Sequence, residues 1–205
     1  MPADVPSPIE LRDPQDARDW ERSALIKRPS RPEFFALYAE QISAHQRAIA
    51  TVLELGSGPG FLAQHLLKKL PDLSYTALDF SAAMHELARA RLGRSADQVR
   101  FVERSFKEDG WTDGIGTFDC VLIHQAVHEL RHKRHAPTLH RQVHTLLPIG
   151  ALYLVCDHFV GDGGMTNDQL YMTQEEQQAA LIEGGFQLPE LLKSDDGLAM
   201  YRAVG

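Results

Sequence analysis

The chain has 205 residues, 43% hydrophobic and 24% charged, with a net charge of −7 and two cysteines. That size and composition fit one soluble domain. The acidic balance argues against nonspecific nucleic-acid binding, and no apolar run approaches the ~20 residues of a membrane span.

Residues 1–8 are rich in proline and read as a frayed end. The start carries neither the basic nor the apolar region of a secretion leader. Residues 9–28 have mixed charge and the pattern of a weak helix, which Arg28-Pro29-Ser30-Arg31-Pro32 breaks. Ser30 then stands near a cap and Pro32 in a first turn. Phe34, Leu37, Tyr38, Gln41, Ile42 and His45 recur at helical spacing over residues 33–48.

Thr51-Val52-Leu53-Glu54-Leu55 is an apolar strand pattern that breaks into Gly56-Ser57-Gly58-Pro59-Gly60. Glycine at alternate positions suits positive φ or a ligand pressed against the main chain. The helix that follows, from Phe61 to the stop at Pro71, brings N–H groups and the positive end of its dipole, which suit a carboxylate or a phosphate. Strands are expected at 74–79, 99–103, 118–123 and 151–156, and helices at 82–92 after a Ser81 cap, at 135–147 and at 173–184. Residues 186–192 and 198–203 read as two last strands joined through Asp195-Asp196-Gly197, a hairpin signal. Strand–helix alternation predicts a doubly wound α/β fold, a parallel sheet with helices on both faces. Cys120 and Cys156 lie in apolar strand-like runs and are expected as buried free thiols in a reducing compartment, the cytoplasm.

Two cofactors compete for such a turn. The dinucleotide fingerprint G-x-G-x-x-G wants its third glycine one residue later than Gly60 and a small residue where Phe61 stands, and here the acid Glu54 precedes the first glycine. The pattern Glu54-x-Gly56-x-Gly58-x-Gly60 resembles motif I of the class I S-adenosylmethionine-dependent methyltransferases. The resemblance continues through Leu78-Asp79-Phe80-Ser81, Phe118-Asp119-Cys120-Val121-Leu122-Ile123 and Leu146-Leu147-Pro148-Ile149-Gly150, and covers residues 50–204. It implies a Rossmann-like, doubly wound seven-stranded sheet in the order 3-2-1-4-5-7-6, mostly parallel with an antiparallel C-terminal strand.

The resemblance also implies S-adenosyl-L-methionine as cofactor. Gly56, Ser57, Gly58 and Gly60 would meet its methionyl part, and Glu54 would order the turn or reach the ammonium. Asp79 would accept hydrogen bonds from both ribose hydroxyls. Phe80 and Met84 would pack near the adenine. Relatives often carry an acid after the third strand to hold the adenine amino group. Here Ser105 and Phe106 occupy that place, behind Glu103 and Arg104, so Ser105 or backbone groups would serve instead.

His124 and Gln125 end the fourth strand, where open α/β sheets bind ligands. His124 reads as a cofactor-pocket residue. His128 reads as packing against the next helix, with proton acceptance from the methyl acceptor as its alternative. Asp157 after the fifth strand either orients an acceptor or caps a turn. His124, His128 and Asp157 are therefore the candidate catalytic residues. His128-Glu129-Leu130-Arg131-His132 matches the zinc-protease pattern His-Glu-x-x-His, but it lies just past a buried strand with no third-ligand continuation, and no metal is expected. The basic residues 131–141 read as a solvated loop and helix face.

The expected function is methyl transfer to a small-molecule acceptor. A non-catalytic cofactor-binding module, a methyltransferase acting on protein or RNA, and a nicotinamide-dependent oxidoreductase are the alternatives. Residues 49–205 would form the catalytic domain. Residues 1–48 would form a helical cover, with Phe34, Phe35 and Tyr38 as candidates to close the site.

Overall fold

The computed structural model describes residues 3–205. Its strands are β1 (Thr51–Leu55), β2 (Ser74–Asp79), β3 (Val99–Glu103), β4 (Cys120–His124), β5 (Leu152–His158), β6 (Glu190–Asp195) and β7 (Leu198–Val204). They form a seven-stranded sheet in the order β3-β2-β1-β4-β5-β7-β6, as the resemblance implies. The chain divides into two compact units, residues 9–111 and residues 3–8 with 112–205.

In the unit 9–111, β1 pairs parallel with β2 from Thr51↔Ser74 to Leu55↔Leu78, and β2 pairs parallel with β3. Successive residues of β1 and β2 are buried, so both faces of these strands are covered, as parallel strands require. The helices are α1 (Pro14–Lys27), α2 (Arg31–Ala44), α3 (Phe61–Lys69) and α4 (Ala82–Leu92). Asp13 caps α1, accepting from the N–H groups of Gln15 and Asp16. Ser81 caps α4 through Oγ, which accepts from the Met84 N–H at 3.1 Å. Ala17 of α1 packs on Ala83 and Met84 of α4, with Leu11, Trp20 and Leu87 around them. Phe34, Phe35 and Tyr38 of α2 are buried, and Phe35 lies 6.0 Å from the His65 ring of α3.

Gly60 shows why the third glycine is needed. Its φ is +76°, and a Cβ there would lie 3.1 Å from Ala88 Cβ, so α3 and α4 approach each other over a missing side chain. Arg91 fastens the same corner. Its Nε donates to Pro59 O at 2.8 Å and its guanidinium lies 3.7 Å over the Phe61 ring. Gly60→Ala is expected to cost about 2–5 kcal/mol in urea unfolding, from the left-handed backbone and the clash together. A loss below about 1 kcal/mol would mean that the helices separate freely.

In the second unit, β4 pairs parallel with β5, and β7 runs antiparallel to both β5 and β6. The hairpin turn is Asp196-Gly197, both at positive φ, which matches the twist of two directly connected strands. β6 starts at Glu190 and not at Phe186. Phe186 turns inward instead, 4.9 Å from the Tyr153 ring, and Leu188 at φ +46° delays the strand. α5 (Ala136–Thr145) and α6 (Gln174–Glu183) complete the unit. Thr173 and Glu176 form a reciprocal capping box at the start of α6. Cys120 and Cys156 are buried and free, and burial pushes the Cys120 thiol well up.

Residues 3–8 are not frayed. Val5 N–H donates to Arg131 O, and the Arg131 guanidinium donates to Val5 O and Pro6 O. Residues 1–2 lie outside the described residues. No described helix is long and apolar enough to cross a membrane.

Candidate active site

The glycine turn spends its donors internally. The N–H groups of Gly56 and Ser57 both donate to Leu78 O, at 2.9 and 3.1 Å, and that of Gly60 donates to Ser57 O. Gly58 N–H donates to Asp79 Oδ2 at 2.8 Å. A turn with these four donors engaged is poorly equipped for a pyrophosphate, which needs them. It suits a cation better, and a carboxyl group lies beneath it. Glu54 is 3% exposed, and its Oε2 accepts from Tyr75 Oη at 2.8 Å. Burial raises its pKa to about 8, the Tyr75 hydrogen bond opposes this, and the charge of Asp79 adds to it.

Ser57 Oγ is buried with no hydrogen-bond partner among the described residues. Gly58 has φ +53°, and no atom lies within 4 Å of the place a Cβ would take. The turn is therefore not plugged by a protein side chain at Gly58. Asp79 faces it: Oδ2 meets Gly58 and Oδ1 accepts from Ser81 N–H at 2.9 Å.

The adenine candidates are spread more widely. Phe80 is half-buried under the Arg12 guanidinium, 4.8 Å from its ring centroid. Met84 is 1% exposed within the α1–α4 contact. Ser105 Oγ accepts from Lys107 N–H, and Phe106 is buried beside it. Arg104 N–H donates to Asp79 O at 2.9 Å, so the ends of β2 and β3 are tied together.

In the other unit, β4 delivers His124 opposite Cys156, and Gln125 N–H donates to Cys156 O at 2.7 Å with Gln125 at φ +56°. His128 lies in a short 3-10 turn, Val127–Leu130, and pairs with β5 instead of with the following helix. Its Nδ1 is 2.7 Å from Asp157 Oδ1, and its own N–H donates to Asp157 Oδ2 at 2.7 Å. The His158 N–H also donates to Asp157 Oδ1. The rings of His158 and Tyr171 stand 5.2 and 5.5 Å from that of His128. Burial works against the His128 charge, but the Asp157 and Glu129 carboxylates outweigh it and lift the imidazole to about 10. Asp157 is held below the ordinary carboxylate range by His128 and the His158 N–H, against its burial.

A family model described as a methyltransferase domain matches residues 52–150. A malonyl-[acyl-carrier protein] O-methyltransferase of Geobacter sulfurreducens is 26% identical over 195 residues, 88% of this chain and 70% of that protein. Residues 52–150 are thus a methyltransferase domain, similar to those of the class I S-adenosylmethionine-dependent methyltransferases. An O-methyltransferase family protein from Burkholderia thailandensis shares the fold at TM-score 0.75 and 18% identity, over 93% of this chain and 60% of that one. Human N-acetylserotonin methyltransferase, solved with S-adenosylmethionine, does so at 0.69 and 14%, over 95% of this chain and 57% of that one. The chain thus spans less than two thirds of those two structures.

The residues fit this methyltransferase cofactor. Engaged amides, a buried carboxyl beneath them, the orphaned Ser57 Oγ and the open face of Gly58 suit an amino acid group better than a pyrophosphate. The Asp79 carboxylate accepts from the backbone N–H groups of Gly58 and Ser81 and so stands beside the glycine turn.

Glu129, His158 and Tyr171 surround His128. Glu129 follows it directly in the His-Glu-x-x-His pattern, whereas His158 and Tyr171 come from other segments that no spacing rule connects to it. The basic run is a solvated face only in part, with Arg134 and Arg141 exposed. Arg131 and His132 are 8% exposed and His140 2%, and His140 Nδ1 lies 2.9 Å from Tyr153 Oη in the interior. The His-Glu-x-x-His pattern does not lie on one helix, because Arg131 at φ +65° ends the turn before His132. His128, Asp157 and His158 do bring one donor atom each within 4.8 Å. The His128–Asp157 contact there is a charge-assisted hydrogen bond whose charges already balance, so the set reads as an ion pair and not as a ligand shell.

Proposed function

We propose that the chain transfers a methyl group from S-adenosylmethionine to a nucleophilic atom, most simply an oxygen, of a small-molecule acceptor. The observation that carries the acceptor side of this reading is the buried His128–Asp157 pair. A carboxylate on Nδ1 fixes the ring and leaves Nε2 as the atom that can exchange a proton with an acceptor. On the cofactor side, Gly56, Ser57, Gly58 and Gly60 take the amino acid end, with Glu54 beneath, and Asp79 takes the ribose. Phe80, Met84, Ser105 and Phe106 serve the adenine, and His124 and Gln125 are the cofactor candidates of the other unit. When bound, the cofactor supplies an electrophilic sulfonium methyl. The chain's contribution is alignment, which accounts for much of the catalysis in such transfers.

Residues 49–205 carry the machinery in this proposal, and residues 1–48 form its cover. Leu11 O accepts from Ser81 Oγ and Arg12 lies over Phe80, which supports that role. A small acceptor is favoured over protein or RNA because the basic segment is already engaged. Lys133 pairs with Glu176, Arg134 with Asp4, and Arg131 points inward. The buried free thiols support a reducing, cytoplasmic location.

The test is transfer of labelled methyl from S-adenosylmethionine to a panel of phenols, carboxylic acids, amines and acyl-carrier-protein thioesters. Binding of the labelled cofactor with no turnover on any of them would favour the non-catalytic alternative. A second measurement reads Glu54. Its carboxyl holds a proton at neutral pH, and an ammonium beside it would expel that proton. Calorimetry of S-adenosylhomocysteine at pH 7 in buffers of different ionisation heat should show release of about half to one proton per site. Heats independent of the buffer would place the ammonium elsewhere.

A further inference from the structure

An imidazole that serves as a base needs one carboxylate on its far nitrogen. His128 has two, one on each side. Asp157 holds Nδ1, and Glu129 Oε1 lies 3.4 Å from Nε2, the atom that the proposed function reserves for the acceptor. The other oxygen of Glu129, Oε2, lies 3.6 Å from Arg131 Nη1. Arg131 is itself anchored, since its Nε and Nη2 donate to Val5 O and Pro6 O at 2.9 and 2.7 Å and its own carbonyl accepts from Val5 N–H. The Glu129 side chain is 31% exposed, whereas those of His128 and Arg131 are 14% and 10% exposed. The more exposed carboxylate thus lies between two more deeply buried side chains and touches both.

We infer that Glu129 is a positioning residue with two stations, His128 Nε2 and the Arg131 guanidinium, and that an acceptor hydroxyl takes the first station when Glu129 withdraws to the second. This rests on the reading of His128 as the group that meets the acceptor. With Glu129 on Nε2 the ring is capped and holds its proton, so the resting site cannot take a proton from anything. Withdrawal removes one of the two carboxylates that favour the charged ring, and the Nε2 proton leaves to water. The acceptor O–H then donates to the freed Nε2. As the O–C bond forms and the S–C bond breaks, with its electron pair left on sulfur, the hydroxyl proton passes to Nε2.

The groups that face the His128 ring are Asp157 and His158 from β5, Tyr171 from the segment before α6, and Glu129, with Arg131 behind it. Of these only Glu129 both touches Nε2 and has a second partner to go to. The N-terminal residues matter because they hold Arg131 in place as that partner.

The test needs no acceptor. The His128 ring is followed by nitrogen NMR across pH, and its reaction with diethyl pyrocarbonate by peptide mass, in the wild type, Glu129→Gln, Glu129→Asp and Arg131→Gln. In Glu129→Gln the titration midpoint of His128 should fall by about one unit or more, and its carbethoxylation at pH 7 should quicken about tenfold. Glu129→Asp should recover part of both effects. In Arg131→Gln the second station is gone, so the midpoint should stay or rise and the ring should react no faster. A Glu129→Gln midpoint within a few tenths of a unit of the wild type, or an Arg131→Gln ring as reactive as the Glu129→Gln ring, would overturn the two stations. Both readouts are independent of methyl transfer, so a failed acceptor panel with these shifts intact would discredit the proposed function and leave the Glu129 contact standing.

Discussion

Asp79→Ala is expected to weaken S-adenosylhomocysteine binding by about a hundredfold or more in calorimetry. Two charge-assisted hydrogen bonds to a ribose contribute about 1.5–3 kcal/mol each, and the variant loses both. It also loses what Asp79 does inside the protein. Oδ2 holds the Gly58 N–H and Oδ1 holds the Ser81 N–H, so the carboxylate joins the glycine turn to the start of α4. Removing it frees two amides at the site and costs about 1–3 kcal/mol of stability. Asp79→Asn, which keeps an acceptor oxygen but no charge, should fall between the two. Gly58→Val attacks the same site differently. It forces a β-branched residue to φ +53° and fills the open space beside the turn, so binding should fail again. Affinity within about threefold of wild type in Asp79→Ala would show that the ribose does not sit there.

The second large effect concerns the His128–Asp157 pair and its dependence on pH. His128→Leu strands a carboxylate that is 5% exposed, and should cost about 3–5 kcal/mol in urea unfolding near pH 6. The sign of the pH dependence follows from the direction of each shift. The folded imidazole titrates at about 10, above its unfolded value of 6.5, so its contribution is fully present below 6.5 and disappears as pH rises through 10. Asp157 is lowered from 3.8, so its contribution is present above 3.8 and disappears as pH falls through its folded value. The pair is therefore at full strength between about pH 4 and 6.5. Wild-type stability should decline from pH 7 to 10, and in Asp157→Asn most of that decline should vanish. A wild-type profile that is flat over this range would mean that His128 is neutral and the pair is an ordinary hydrogen bond. Methyl transfer, if His128 meets the acceptor, should fall to background in His128→Leu with cofactor affinity retained.

Much of the fold was legible because local rules and tertiary context agree. The helix over 82–92 has its bounds written in Ser81 and Gly93, a cap and a terminator, and it forms between them. The β6–β7 hairpin follows from Asp196-Gly197 between apolar stretches. Elsewhere a long-range contact overrides the local signal. Phe186 looks like a strand residue but is drawn into the core against Tyr153 and His144, so β6 begins later. Arg131 looks like a solvated cation but turns inward, because two carbonyls of the N-terminal segment lie over a hundred residues away in sequence and next to it in space.

The sequence by itself determined the parallel α/β class, because strand–helix alternation is a local pattern, and through the resemblance of its motifs to a known family it implied the cofactor class and the strand order. Only the tertiary structure decided what surrounds His128. Its neighbours come from β5, from the segment before α6 and, through Arg131, from the N-terminal residues. An imidazole's proton affinity is set by the charges within a few ångströms of it, and no spacing along the chain records which charges those will be.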